Sequence, residues 1–210
     1  MTAAGNIKTN KNMTNELQGN IYKNGIFLAD AVLENSSPEN MVKEVHSTTK
    51  EFIRKNKFVT LIGGEHSLSI GSIRAFNECF DSLTVVHIGA HANLRKEFNG
   101  SSYDRKCAVS EASQTTNLIQ IAIRSMDTIE KTMVDEDKIF YAHEMLNDDY
   151  WMENAIDLMT NNVFITFDLD ALDSSLVSST CCPEPGGLFW YETLEFLQKI
   201  FKEKNVVGFD

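Results

Sequence analysis

Four side chains stand just past short apolar runs. His66 follows Leu61-Ile62-Gly63-Gly64-Glu65, His91 follows Val85 to Ala90, and Asp168 and Asp170 follow Val163 to Phe167. Imidazole nitrogens and carboxylate oxygens are cation ligands, and two carboxylates spaced i, i+2 share one face of extended chain. The chemistry they suggest is cation binding. Each feature also has a plainer reading. A histidine near a helix start is often structural, and acidic loop residues often cap nearby amides. Three such loops in one chain favour the cation. Within the second loop, positions 89, 91 and 93 project to one side, but they hold Gly89, His91 and Asn93. Only His91 of these is a strong ligand.

These loops must be positioned by rigid elements, and the chain alternates between two periods. Ser37-Pro38-Glu39 predicts a helix start, with a capping hydroxyl, a proline suited to the first turn and an acid facing the dipole. Met41, Val45 and Phe52 then recur at helical spacing. Strands are predicted at 58–62, 83–88, 118–123, 139–141, 163–167 and 206–209. Helices are predicted at 66–80, 126–133, 148–159 and 190–202. Apolar strands alternating with helices imply parallel pairing through right-handed crossovers, with strands buried on both faces. The expected fold is a three-layer α/β/α sandwich on a mainly parallel sheet. Ligands in such folds bind at the carboxyl ends of the strands, where the four candidate side chains lie.

Composition narrows the function classes. The chain has 210 residues, 30 acidic against 19 basic, and a formal charge of -11. That balance argues against nucleic acid and anionic membranes as partners, since both need a basic footprint. No apolar run approaches the roughly 20 residues of a spanning helix. Residues 1–20 read as a loose polar tail without a secretory core, and residues 21–210 as a single domain. Cys79, Cys107, Cys181 and Cys182 form neither a disulfide framework nor a CxxC knuckle. Four reduced thiols and a cytoplasmic location are expected. The acids between Asp135 and Asp157 read as the wet face of helices and loops.

Three stretches in order carry a resemblance: VTLIGGEHSLSIGSIRAF, LTVVHIGAHANLRKEFNGSSY and ITFDLDALDSSLVSSTCCPEPGGLFW. They resemble the arginase/agmatinase ureohydrolase family, and within it the bacterial agmatinases. The resemblance implies hydrolysis of a guanidino group by a water or hydroxide bridging two manganese ions. For agmatinase the substrate is agmatine and the products are urea and putrescine. It matches His66, His91, Asp168 and Asp170 to family metal ligands. It also exposes departures. Gly89 and Asn93 stand where the family has metal-binding aspartates, the second of which orients the nucleophile. Arg105 stands at a histidine linked to proton transfer or substrate contact. Ser174 replaces a proline, and Cys181-Cys182 a glycine and a threonine.

Charge decides what these departures mean. The family pattern sets four aspartates against two dications, whereas Asp168 and Asp170 supply only two charges. Neutral histidines do not compensate. At most one weakly held manganese is expected, with catalysis impaired or absent. Arg105 is expected near the pocket, able to pair with Asp168 or Asp170. By the resemblance, the domain is incomplete at both ends, which would leave apolar sheet edge for another chain to cover. A homo-oligomer or an intact paralogue is the expected partner. Three roles stay open: an impaired hydrolase acting on a guanidino compound, a non-catalytic subunit, and a truncated product without selected function.

Overall fold

Ser37 sets the first helix. Its side chain accepts from the Asn40 N–H at 3.1 Å and Pro38 fills the first turn, as the sequence predicts. The computed structural model describes residues 28–210, so the tail expected over residues 1–20 lies outside the described residues. Helix α1 (Pro38–Arg54) leads to the short strand β1 (Val59–Thr60) and helix α2 (Ser69–Cys79). Then follow β2 (Leu83–Ile88), α3 (Ala112–Thr115), β3 (Asn117–Ile123) and β4 (Ile139–Tyr141). The chain continues through α4 (Ala142–Met145), α5 (Trp151–Asp157), β5 (Asn162–Phe167), α6 (Trp190–Glu203) and β6 (Asn205–Phe209).

Among the described residues the strands form one parallel sheet in the order β1-β6-β5-β2-β3-β4. Alternate strand residues feed two cores. Val86, Ile88, Ile119, Ile121, Val163 and Ile165 pack against Trp151 and Ile156 of α5 and Phe196 and Ile200 of α6. Val85, Leu118, Ile123, Phe164 and Val207 pack against Ile73 and Phe76 of α2 and Ile53 of α1. Burial of both faces makes these strands apolar runs, and the result is the expected α/β/α sandwich.

Three expected elements differ. The strand predicted at 58–62 pairs as a ladder only at Val59–Thr60, because it sits at the sheet edge beside β6, with Phe58 and Ile62 exposed. The helix predicted at 148–159 begins at Trp151, where Asp148 turns the chain by accepting from the Tyr150 N–H. The helix predicted at 126–133 is only a 3₁₀ turn, Glu130–Thr132. Its acids have other work. Asp127 pairs with Arg95, and the buried Glu130 carboxylate accepts from the N–H groups of Leu94 and Asp127. Helical periodicity there is overruled by these polar clamps on the segment after β2.

From β2 the chain moves outward to β3 and β4, then returns to place β5 on the other side of β2. This reversal creates a crevice at the carboxyl ends of β2 and β5, the position where such sheets hold their sites. The pairing of Ile88 with Phe167 sets Gly89 beside Asp168, and the Asp168 N–H donates to the Ile88 carbonyl at 2.9 Å.

Candidate functional site

The crevice gathers all four candidate side chains as two pairs. His66 heads a 3₁₀ turn before α2, and its Nδ1 lies 3.1 Å from Asp168 Oδ2. Its Nε2 lies 2.9 Å from the Thr166 hydroxyl, and Nδ1 lies 3.2 Å from the Asn93 amide. His91 Nδ1 lies 2.7 Å from Asp170 Oδ2, with Glu184 3.7 Å from its other nitrogen. The plainer reading of the two aspartates is also visible. Asp168 accepts from the Asp170 N–H at 3.1 Å, and Asp170 Oδ1 accepts from the Ala90 N–H at 2.8 Å.

Electrostatics follow from the pairing. Burial alone would lift the Asp168 carboxyl, but the hydrogen bond and charge of His66 outweigh it and hold the group at about 2. Burial likewise opposes the charge on His66, and Asp168 more than offsets it, so the His66 pKa is raised. The hydrogen bond to Asp170 raises that of His91. Both imidazoles therefore take up a proton more readily than a free histidine. An imidazolium has no lone pair for a metal.

His87 is a site residue the sequence reading passed over. It lies within β2, completely buried, and burial pushes its pKa down to about 3. The Gln120 amide donates to the Ala92 carbonyl at 2.8 Å and reaches His87 Nδ1 at 3.0 Å. Since that nitrogen of Gln120 is a donor, His87 Nδ1 accepts and its Nε2 carries the proton. Nε2 is buried without a partner. It points where a side chain at position 89 would begin: a Cβ on Gly89 would sit 2.8 Å from His87 Nε2 and 3.6 Å from Asp170 Oδ1. The His87 ring thus occupies the space beside Gly89 that a side chain there would need.

Arg105 corrects an expectation. Its guanidinium bonds neither Asp168 nor Asp170; it donates to the Cys181 and Cys182 sulfurs. The two aspartates are already engaged by the histidines, and the 181–182 loop lies closer to Arg105. The basic residue that reaches the Asp170 loop is Arg124, which the sequence reading also missed. It donates to the backbone carbonyls of Asp170 at 2.7 Å, Glu184 at 2.9 Å and Pro185 at 3.0 Å. Asp173 holds the same loop by accepting from the Gly186 and Gly187 N–H groups. A sequence signal for Arg124 existed: it is the first charged residue past β3.

The residues present do not fit a manganese pair. Carboxylates suit that hard ion, yet Gly89 offers no donor and Asn93 one neutral amide. Asp168 and Asp170 each face a histidine already. Among the described residues, no group of three or more His, Cys, Asp and Glu side chains is placed to share one ion.

A parallel sheet with histidine–aspartate pairs on its switch-point loops defines the class of protein: a three-layer α/β/α sandwich with its polar site at the strands' carboxyl ends. The chain belongs to the arginase family, whose model matches residues 3–210. The N(1)-aminopropylagmatine ureohydrolase of Synechocystis sp. is 37% identical over 175 residues, covering 81% of this chain and 57% of that protein. The agmatinase of Pyrococcus horikoshii is 29% identical over 180 residues, covering 83% and 61%. The crystal structure of a putative agmatinase from Clostridium difficile superposes with a TM-score of 0.76 at 28% identity, covering 85% of this chain and 66% of that one. The chain thus spans about three-fifths of the length of these curated relatives.

Proposed function

We propose that this chain is a ureohydrolase-family protein that does not hydrolyse guanidino compounds such as agmatine, because its crevice cannot hold a manganese pair. One observation carries the reading: the carboxyl end of β2 supplies Gly89 and Asn93, so of the four positions that the resemblance matches to aspartates only Asp168 and Asp170 hold one, each paired to a histidine. Two dications roughly 3.5 Å apart repel by about 19 kcal/mol at an effective dielectric of about 20. Four carboxylates neutralise that charge; two do not, and recruiting them breaks both histidine pairs. A single ion, held weakly and only where a histidine–aspartate pair opens to receive it, is the most the donor set supports.

The test uses the whole chain with excess manganese and either agmatine or N(1)-aminopropylagmatine. Urea release should stay at background, and metal analysis after desalting should find at most one equivalent. Turnover within tenfold of an authentic agmatinase, or two retained equivalents, would defeat the proposal. A scaffold role beside a second copy or an intact paralogue belongs to the same reading, supported by the exposed Phe58 and Ile62 at the β1 edge. Light scattering of the chain alone and with a paralogue reads it. A cytoplasmic location is supported by four free cysteines. No described helix is long and apolar enough to cross a membrane.

A further inference from the structure

Beside the crevice, two sulfurs and a guanidinium form a cluster that the site chemistry does not use. Cys181 Sγ and Cys182 Sγ lie 3.6 Å apart, and Arg105 sends Nη1 to the first and Nη2, at 3.4 Å, to the second. Cys181 is exposed, Cys182 half-buried. We propose that Cys181 and Cys182 are a peroxide-responsive thiol pair, in which Cys181 is the nucleophile, Cys182 resolves it into a vicinal disulfide, and Arg105 holds the reactive thiolate. The inference stands apart from the reading of the metal crevice and survives its failure.

Three features of the cluster support it. A thiolate, not a thiol, attacks peroxide, and a neighbouring guanidinium favours the thiolate. The two sulfurs are driven apart in character. The Arg105 hydrogen bond lowers the Cys181 pKa, while the hydrogen bond with Cys181, then burial, raises that of Cys182. The accessible thiol is thus the readier of the two to ionise and its neighbour the slower, the division of labour an attacking and a resolving cysteine need. The positive charge of Arg105 also disfavours the alternative use of such a pair, capture of a soft metal cation.

The chemistry balances. The Cys181 thiolate attacks one oxygen of hydrogen peroxide; the O–O bond breaks, an S–O bond forms, and hydroxide leaves and is protonated by solvent. The Cys182 sulfur then attacks the Cys181 sulfenic acid. An S–S bond forms, the S–O bond breaks, and the departing hydroxide takes the Cys182 proton as water. The two sulfurs lose two electrons and the peroxide gains them. Consecutive Cα atoms stand roughly 3.8 Å apart, short of the roughly 4.4–6.8 Å of ordinary disulfides. The bridge is therefore strained, and mild thiol reductants should reopen it, which suits a reversible response.

The experiment treats the full chain with one equivalent of hydrogen peroxide and follows it by peptide mass spectrometry. The peptide holding both cysteines should lose about two mass units and recover on mild reduction. The Cys182→Ser variant should instead give a sulfenic acid at Cys181, trapped by dimedone. The Arg105→Gln variant should react about tenfold more slowly as its thiolate fraction falls. Circular dichroism confirms that each variant is folded, and Arg105→Lys, which keeps the charge, should restore much of the rate. Oxidation at Cys79 or Cys107 as fast as at Cys181 would overturn the proposal. So would conversion to sulfinic acid without a bridge, or a rate indifferent to Arg105.

Discussion

Single atoms decide what this site can hold. The absent side chain at Gly89 leaves His87 Nε2 with a buried proton and no acceptor, a state that costs roughly 1–3 kcal/mol. Restoring a side chain is not a simple repair. A Cβ at 89 would lie 2.8 Å from that nitrogen, so the buried ring must shift. Gly89→Ala should therefore destabilise the chain by about 1–3 kcal/mol in urea unfolding. Combining it with His87→Ala should cost clearly less than the sum of the two single changes. Strict additivity in that cycle would show that the ring does not fill the space beside Gly89. An aspartate installed at 89 for metal binding meets the same obstacle. Gains in manganese affinity from Gly89→Asp should grow when His87 is also made smaller.

At the level of elements, the site depends on how a loop is tied to a strand end. A bulge separates Ile121 from Ile123 in β3, and Ala122 there takes φ 66°, a left-handed conformation unusual for a residue with a side chain. Arg124 emerges two residues later and clasps the 184–185 and 170 backbones together. Arg124→Ala removes a charged donor from several half-buried carbonyls at once. It should lower stability by about 2–4 kcal/mol and loosen the Glu184–Gly187 loop. Hydrogen exchange at the Gly186 and Gly187 amides reads the loop directly. Unchanged protection there would mean that Asp173 alone secures it. The same element logic explains the mispredicted helix at 126–133. Asp127 pairs with the Arg95 guanidinium and Glu130 accepts from the Leu94 N–H, demands of a neighbouring segment that no local period records.

Across the whole molecule, the buried ionisable groups set the response to pH. His87 titrates at about 3 when folded against an ordinary 6.5, so the unfolded chain binds its proton first. Its contribution is complete above about pH 6.5 and is lost as pH falls toward 3. Asp168, held at about 2 against 3.8, acts in the same direction at lower pH. His66 and His91, both raised, act oppositely: their contribution is complete below the ordinary histidine value and is lost as pH rises through the folded one. Through His87, stability should therefore fall on acidification from pH 7 to 4 by about 3 kcal/mol, partly offset by what the His66 and His91 pairs return. Urea midpoints across that range check this. His87→Gln should flatten the slope, and an identical slope would assign the loss elsewhere.

The sequence alone determined the layer architecture, because strands buried on both faces must be apolar runs and the helices between them must carry one apolar face. Val85 to Ile88 and Val163 to Phe167 show this directly. It also located His66, His91, Asp168 and Asp170, since ligand sites in parallel sheets fall just past strand ends. It showed that positions 89 and 93 carry no carboxylate, which is a matter of residue type. Only the tertiary structure decided which partner each group takes. Arg105 could have met an aspartate or a sulfur, and His87 could have been a plain core residue. Those outcomes depend on distances across the sheet reversal between β2 and β5. Side chains as far apart in the chain as Arg105 and Cys181, or His66 and Asp168, meet only there. Such encounters leave no local period or spacing to read.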